Sequence, residues 1–205
     1  MVSARSTMFV LTLAACAEMP TEGIARGEVL YQNCEQCHGA QGEGSTLVQA
    51  PPLAAMPAWY IESQMLHFKS GWRGAHEDDV EGLKMRGMSR SIKSAADVKV
   101  VAEYASQLPK VETLATLTGD AERGRAAYVA CSACHGADGA GMETMQAPPL
   151  HNLPDWYIVR QIAKYKSGVR AYEAEDSAGA MMKAMSGTVA DDAASKDLAA
   201  YIQTL

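Results

Sequence analysis

Two five-residue stretches carry the reactive side chains of this chain: Cys34-Glu35-Gln36-Cys37-His38 and Cys131-Ser132-Ala133-Cys134-His135. Cys-x-x-Cys-His is the attachment signature of a c-type haem. Thiols three residues apart share one face of a helical turn, where both can form thioethers with the porphyrin vinyl groups. The adjoining histidine, His38 or His135, is then placed to reach the iron as its proximal ligand. A zinc ribbon would bring its two Cys-x-x-Cys pairs much closer together, and a thioredoxin-like site would sit in a βαβ pattern that is absent. The reading is two covalently bound haem c groups, held through Cys34, Cys37, Cys131 and Cys134.

The elements that must position these motifs come as two copies. At an offset of 97 residues, Cys34 falls on Cys131, and the agreement extends without a gap through both halves. Gly27 and Tyr31 fall on Gly124 and Tyr128, Ala50-Pro51-Pro52-Leu53 on Ala147-Pro148-Pro149-Leu150, and Trp59, Tyr60 and Gln64 on Trp156, Tyr157 and Gln161. Lys69, Gly71 and Arg73 fall on Lys166, Gly168 and Arg170, and Met85 and Met88 on Met182 and Met185. A fixed-period match of this kind means one fold used twice.

Each copy reads as helical. Val98, Val101, Ala102, Ala105 and Leu108 recur at helical spacing behind a Ser94 cap, and Leu198, Ala199, Ile202 and Leu205 repeat the stripe. A second helix runs from Trp59 to Lys69, with Gly71 as its C-cap. No stretch alternates apolar and polar residues long enough for a strand, so the expected class is all-α. The boundaries drawn are a leader at 1–17, a first domain at 21–109, a linker at 110–117 and a second domain at 118–205.

With these residues assembled, the sequence resembles the dihaem class I cytochromes c, most closely the cytochrome c4 group, across roughly residues 21–205. The resemblance implies that the first and last helices of each domain cross at a glycine with aromatic support: Gly27 and Tyr31 against Val101 and Tyr104, Gly124 and Tyr128 against Leu198 and Tyr201. It implies a methionine as the second axial ligand of each iron. The family pattern favours Met85 and Met182 over Met88 and Met185. It also implies that the carbonyls of Pro51 and Pro148 accept the other ring N–H of the proximal histidines, which fixes the ring. Arg73 and Arg170, and less strongly Lys69 and Lys166, are candidates to pair with haem propionates, since guanidinium–carboxylate bonds are strong and directional. The lysines also fit as helix C-terminal charges.

His67, His76 and His151 stand opposite Lys164, Glu173 and Ala54 in the other copy, and as unrepeated histidines they read as surface residues. Glu77-Asp78-Asp79 and Glu173-Ala174-Glu175-Asp176 read as solvated acidic loops.

The composition narrows the function. Aromatic residues make up 6% of the chain, few for two separate cores, so a large apolar cofactor would help complete each. A formal charge of −6 argues against nucleic acid as a partner. Four of the five cysteines belong to the haem motifs, which leaves Cys16. Arg5 precedes the apolar run Met8–Ala15, too short to span a bilayer but suited to a signal peptide. Leu13-Ala14-Ala15-Cys16 resembles a bacterial lipobox, in which the cysteine becomes a lipidated N-terminus; Ala15-Cys16-Ala17 also fits ordinary cleavage after Ala17. Either exports the chain to the periplasm, and any contact with the bilayer would be through the lipid anchor alone.

Methionine opposite histidine closes the iron to small molecules, so the expectation is an electron carrier and not an enzyme. What the resemblance implies is shuttling from a quinol-oxidising complex to a terminal oxidase. The alternative is the cytochrome subunit of a larger dehydrogenase, such as a flavocytochrome, with a dihaem peroxidase or thiosulfate-oxidising cytochrome as the enzymatic reading.

Overall fold

In a computed structural model of the full chain, residues 19–205 are described, and the leader with its Cys16 lies outside them. Among the described residues there are eight α-helices and one short 3₁₀ turn, and no strand beyond isolated bridges at Ser45–Ala50 and Met142–Ala147. The first half holds α1 (Gly23–His38), α2 (Ala58–Ser70), α3 (Val80–Ser89) and α4 (Ala95–Ser106). The second holds α5 (Ala121–His135), α6 (Asp155–Lys166), α7 (Ser177–Ser186) and α8 (Asp192–Ile202). The all-α expectation holds, and the order of helices repeats.

In each half the first helix packs on the last, α1 on α4 and α5 on α8. The crossing is set by glycine. A Cβ on Gly27 would lie 2.2 Å from the Val100 carbonyl oxygen, and one on Gly124 would lie 1.9 Å from that of Asp197. Only a residue without a side chain lets two backbones approach so closely. Beside the crossing, Tyr31 packs on Tyr104 and Tyr128 on Tyr201, each with ring centroids 5.3 Å apart. The two tyrosine hydroxyls donate to the Gly39 and Gly136 carbonyls at 2.9 and 2.8 Å, which ties each first helix to the loop that follows it.

Local chemistry sets the helix ends. Ser94 caps α4 by accepting the Asp97 amide at 3.0 Å, and Gly71 closes α2 in a left-handed conformation. Asp79 and Asp176 cap α3 and α7, accepting the Gly82 and Gly179 amides at 3.0 and 2.8 Å. This departs from the solvated-loop expectation. Glu77 and Asp78 are exposed, but Asp79 is only 1% exposed and Asp176 8%. A capping carboxylate faces into the protein because its acceptors are needed there.

Between α4 and α5 the chain is irregular, and part of it is fastened to the second half. Asp155 accepts the amides of Thr116 and Leu117, both at 2.6 Å, and the Thr116 hydroxyl at 2.9 Å. Thr113 reaches Gln203 at 3.3 Å. No described helix is long and apolar enough to cross a membrane.

Candidate haem sites

Each Cys-x-x-Cys-His motif occupies the last turn of a first helix, α1 or α5, so both thiols and the histidine come off one end of a rigid rod. Gly39 and Gly136 follow with positive φ and turn the chain under the helix end. The loop then returns through Pro51 or Pro148. His38 Nδ1 lies 2.8 Å from the Pro51 carbonyl oxygen, and His135 Nδ1 lies 2.8 Å from that of Pro148. A carbonyl only accepts, so each Nδ1 carries the proton and Nε2 keeps its lone pair for a metal. Burial pushes both histidines below their ordinary value, although the proline carbonyls oppose the shift. The imidazoles are therefore neutral, the form a metal needs.

The four motif cysteines form no disulfide. Burial raises the Cys34 thiol to about 11 and also pushes Cys131 up, so neither is a thiolate at neutral pH. No group of three or more described His, Cys, Asp or Glu side chains is arranged to hold a bare metal ion.

Above each motif opens a mainly apolar cavity. The first, of about 290 Å³, is bounded by Cys34, Cys37, His38, Pro51, Met85 and Met88. The second, of about 150 Å³, is bounded by Cys131, Cys134, His135, Pro148, Met182 and Met185. Motif, proline and methionines are thus brought together in each half. Met85 is half-buried against the core, whereas Met88 is 45% exposed. In the second half Met182 and Met185 are both half-buried, and Met181 is 51% exposed.

Arg73 and Arg170 also line their respective cavities, but their guanidinium groups build the contact between the halves. Arg73 donates to Gln64 of its own copy at 2.8 Å, and to Gln161 and the Tyr157 hydroxyl of the other at 3.3 and 3.0 Å. Arg170 mirrors this with Gln161 at 2.7 Å and Gln64 at 3.1 Å. Each also stacks on a ring, Arg73 over Phe68 and Arg170 over Tyr165. Arg73 Nε is buried without a partner among the described residues, an orphaned donor at the cavity wall that suits an anionic group there.

The two lysines take neither an anion nor their own helix end. Lys69 Nζ donates to the carbonyls of Ser89 and Ile92, and Lys166 Nζ to those of Val189 and Ala190. They clamp the chain just past the methionine helices α3 and α7 onto α2 and α6.

Sequence reasoning also missed that Tyr60, Gln64, Leu153, Tyr157 and Gln161 line both cavities, so the two share a wall. The tryptophans instead sit behind that wall, edge-on to the tyrosines at 5.6 Å for Trp59–Tyr60 and 5.7 Å for Trp156–Tyr157. The repeat of Tyr60 and Gln64 at Tyr157 and Gln161 was the available signal, but it does not say that the copies face each other.

The residues present fit a haem in each half: an apolar slot, two thiols and a neutral imidazole at one wall, thioethers in the same cavity and an arginine at its edge, with an orphaned Nε donor in the first half. Comparison with known proteins gives the same picture. The cytochrome c family profile matches residues 24–109 and again 121–205. A thiosulfate dehydrogenase electron acceptor from Thiomonas intermedia is 31% identical over 182 residues, 82% of this chain and 78% of that protein. Cytochrome c4 of Pseudomonas aeruginosa is 28% identical over 215 residues, covering 100% of this chain and 98% of that protein. The solved structure of reduced recombinant cytochrome c4 from Pseudomonas stutzeri superposes with a TM-score of 0.73 at 23% identity, over 90% of this chain and 100% of that one, a likeness of fold. The duplicated pocket thus places this chain in the cytochrome c family, as a dihaem electron carrier built from two tandem domains that each bind one covalent haem c.

Proposed function

We propose that the protein receives electrons on one haem and delivers them from the other, working outside the cytoplasm between a quinol-oxidising complex and a terminal oxidase. The shared wall carries this reading: two redox sites separated by Tyr60, Gln64, Leu153, Tyr157 and Gln161 form a relay inside one molecule. When bound, haem iron supplies a one-electron couple whose potential follows its axial ligands.

The assignment of residues supports a closed site. His38 and His135, oriented by Pro51 and Pro148, would hold the iron through Nε2, and Met85 and Met182 would supply the second ligand to it. Cys34, Cys37, Cys131 and Cys134 form the thioethers. Arg73 and Arg170 sit at the cavity edges, where a propionate would find a donor. A haem held by these side chains would supply one-electron chemistry at a site closed to small molecules. At the N-terminus, Cys16 anchors the mature chain through lipid.

A second reading has the protein as the acceptor for a periplasmic dehydrogenase. Its support is the relative with 31% identity, which is named as a thiosulfate dehydrogenase electron acceptor.

The test is oxidation of the reduced holoprotein by membranes containing terminal oxidase, set against reduction by a purified dehydrogenase. Fast turnover with the oxidase alone supports the first reading, and fast reduction by the dehydrogenase supports the second. Replacing Met85 or Met182 by alanine should open that iron to carbon monoxide and lower its potential; the same result from Met88→Ala would shift the ligand assignment. Mass spectrometry of the mature protein checks the anchor, with a lipid-modified Cys16 expected.

A further inference from the structure

The two cavities are built alike in their apolar walls and differ in the charges that the opposite half sends to them. At the first, α6 contributes Lys164 and Arg160. Lys164 Nζ binds Asp79 and reaches Glu81 at 2.7 Å, and Arg160 reaches Glu81 at 3.2 Å. At the second, the corresponding residues of α2 are His67 and Ser63, and those of the facing helix are Asp176 and Ala178. Asp176 is the counterpart of Asp79, equally a buried cap. His67 therefore occupies the place where the other half has a lysine on a buried carboxylate.

We propose that this interface makes the two haem sites unequal: the first keeps a fixed set of paired charges, and the second exchanges a proton at His67 when it exchanges an electron.

Several groups face His67. Asp176 comes from the cap of α7, Arg170 from the loop after α6, and Arg73 from the loop after its own helix. The Trp72 ring lies 5.1 Å from the imidazole, and Tyr60 and Tyr165 line the same cavity. Burial lowers the proton affinity of His67 most, Asp176 raises it, and Arg170 and Arg73 lower it, leaving it below the ordinary histidine value. Burial raises Tyr60 to about 12, so that hydroxyl stays neutral.

An imidazole whose proton affinity lies below the ordinary value, half-buried and sharing a cavity with the Asp176 carboxylate, responds to an added negative charge. One electron from a reduced partner protein enters the site, and one proton passes from solvent to an imidazole nitrogen, where an N–H bond forms as a hydronium O–H bond breaks. Reoxidation returns both. The first site has no imidazole at the matching position, where Lys164 stands, so it takes up no proton by this route.

The sign follows from linkage. The proton affinity of His67 is higher with the second site reduced than with it oxidised. Between those two pKa values the midpoint potential falls as pH rises; below the lower and above the upper it is flat. The steepest slope is one proton per electron, tenfold in equilibrium constant per pH unit, about 59 mV for a one-electron couple.

This rests on two haems per chain with closed axial sites. A pyridine haemochrome count of two and the absence of carbon monoxide binding by the wild type check those points separately. The decisive experiment is a spectroelectrochemical titration of the full-length holoprotein from pH 5 to 8. One midpoint should shift with pH and the other stay flat. His67→Lys, which copies the other half, should flatten the shifting midpoint and hold it at its acid-side level. Asp176→Asn, which keeps an N-cap acceptor but removes the charge, should move the sloping window to lower pH. The His67 imidazole resonance should titrate at a higher pH in the reduced protein than in the oxidised one. Two flat wild-type midpoints, or a slope that survives in His67→Lys, would overturn the proposal.

Discussion

The two rims of the seam between the halves descend from one pattern and behave as different devices. On the first, a buried carboxylate that caps the methionine helix is met by Lys164 and, through Glu81, by Arg160. On the second, the same carboxylate position shares its cavity with His67, and Ala178 stands where Glu81 would be. Duplication has kept the cap, the lysine clamp and the arginine–glutamine quartet. What differs at the rim is the charge: Lys164, Arg160 and Glu81 on the first side stand against His67, Ser63 and Ala178 on the second. A pocket's shape and its electrostatics can therefore diverge independently, since the two pockets share a wall while the charged rim of each joins its own capping helix to a helix of the other half.

The largest effect that would expose this difference is on stability. Lys164→Ala leaves Asp79, 1% exposed, without its cation, and the loss should be about 3–5 kcal/mol in denaturant unfolding of the holoprotein. His67→Ala, the same change on the other edge, should cost about 1 kcal/mol or less. Equal losses would erase the contrast.

Next comes the transplant. Lys164→His should give the first site a pH-dependent midpoint, with a slope up to about 59 mV per pH unit, so that both midpoints move. A first midpoint that stays flat would mean that the flanking residues decide.

Smaller still is Tyr172→Phe. The Tyr172 hydroxyl accepts the Ala75 amide at 3.1 Å and donates to the Gly71 carbonyl, and Ala75 has no such reach in return. Its loss should cost about 1 kcal/mol, read as a lower unfolding midpoint.

The least change is expected from Arg160→Ala. This partly exposed residue pairs with Glu81 and lies over Trp156 at 5.5 Å, a contact worth about 0.5–1 kcal/mol and weakened by salt. It should also raise Glu81 toward its ordinary value. Burial pushes that carboxyl up, but Lys164, its own backbone amide and Arg160 together hold it low. A depressed carboxylate stabilises above its unfolded pKa and loses that contribution as pH falls through the folded one, so the variant should lose less stability on acidification than the wild type.

What a sequence reader can see here is what lies within one copy. The Cys-x-x-Cys-His motifs, the Pro51 and Pro148 carbonyls, the methionine pairs and the glycine crossing all depend on residues whose spacing along the chain is fixed by a helix or a loop, and each is placed together with its partners. The charged rim was not legible for a physical reason. Lys164 lies 85 residues from Asp79, and their meeting depends on how two finished domains dock. His67, unrepeated in the other copy, reads as a surface histidine, yet its lack of a match is the consequence of its position at the rim. Lys69 and Lys166 similarly read as anion partners or end charges, because nothing local tells that their ammonium groups reach carbonyls 20 to 24 residues on.

The connector has a further consequence. Pinned to the second half at Thr113, Thr116 and Leu117, it leaves only a few residues after Pro109 as slack. On so short a tether neither half can drift out of reach of the other, and their local concentration stays high at any dilution. Passage of charge between the halves should then ignore solvent viscosity, with only the arrival and departure of outside partners left to diffusion.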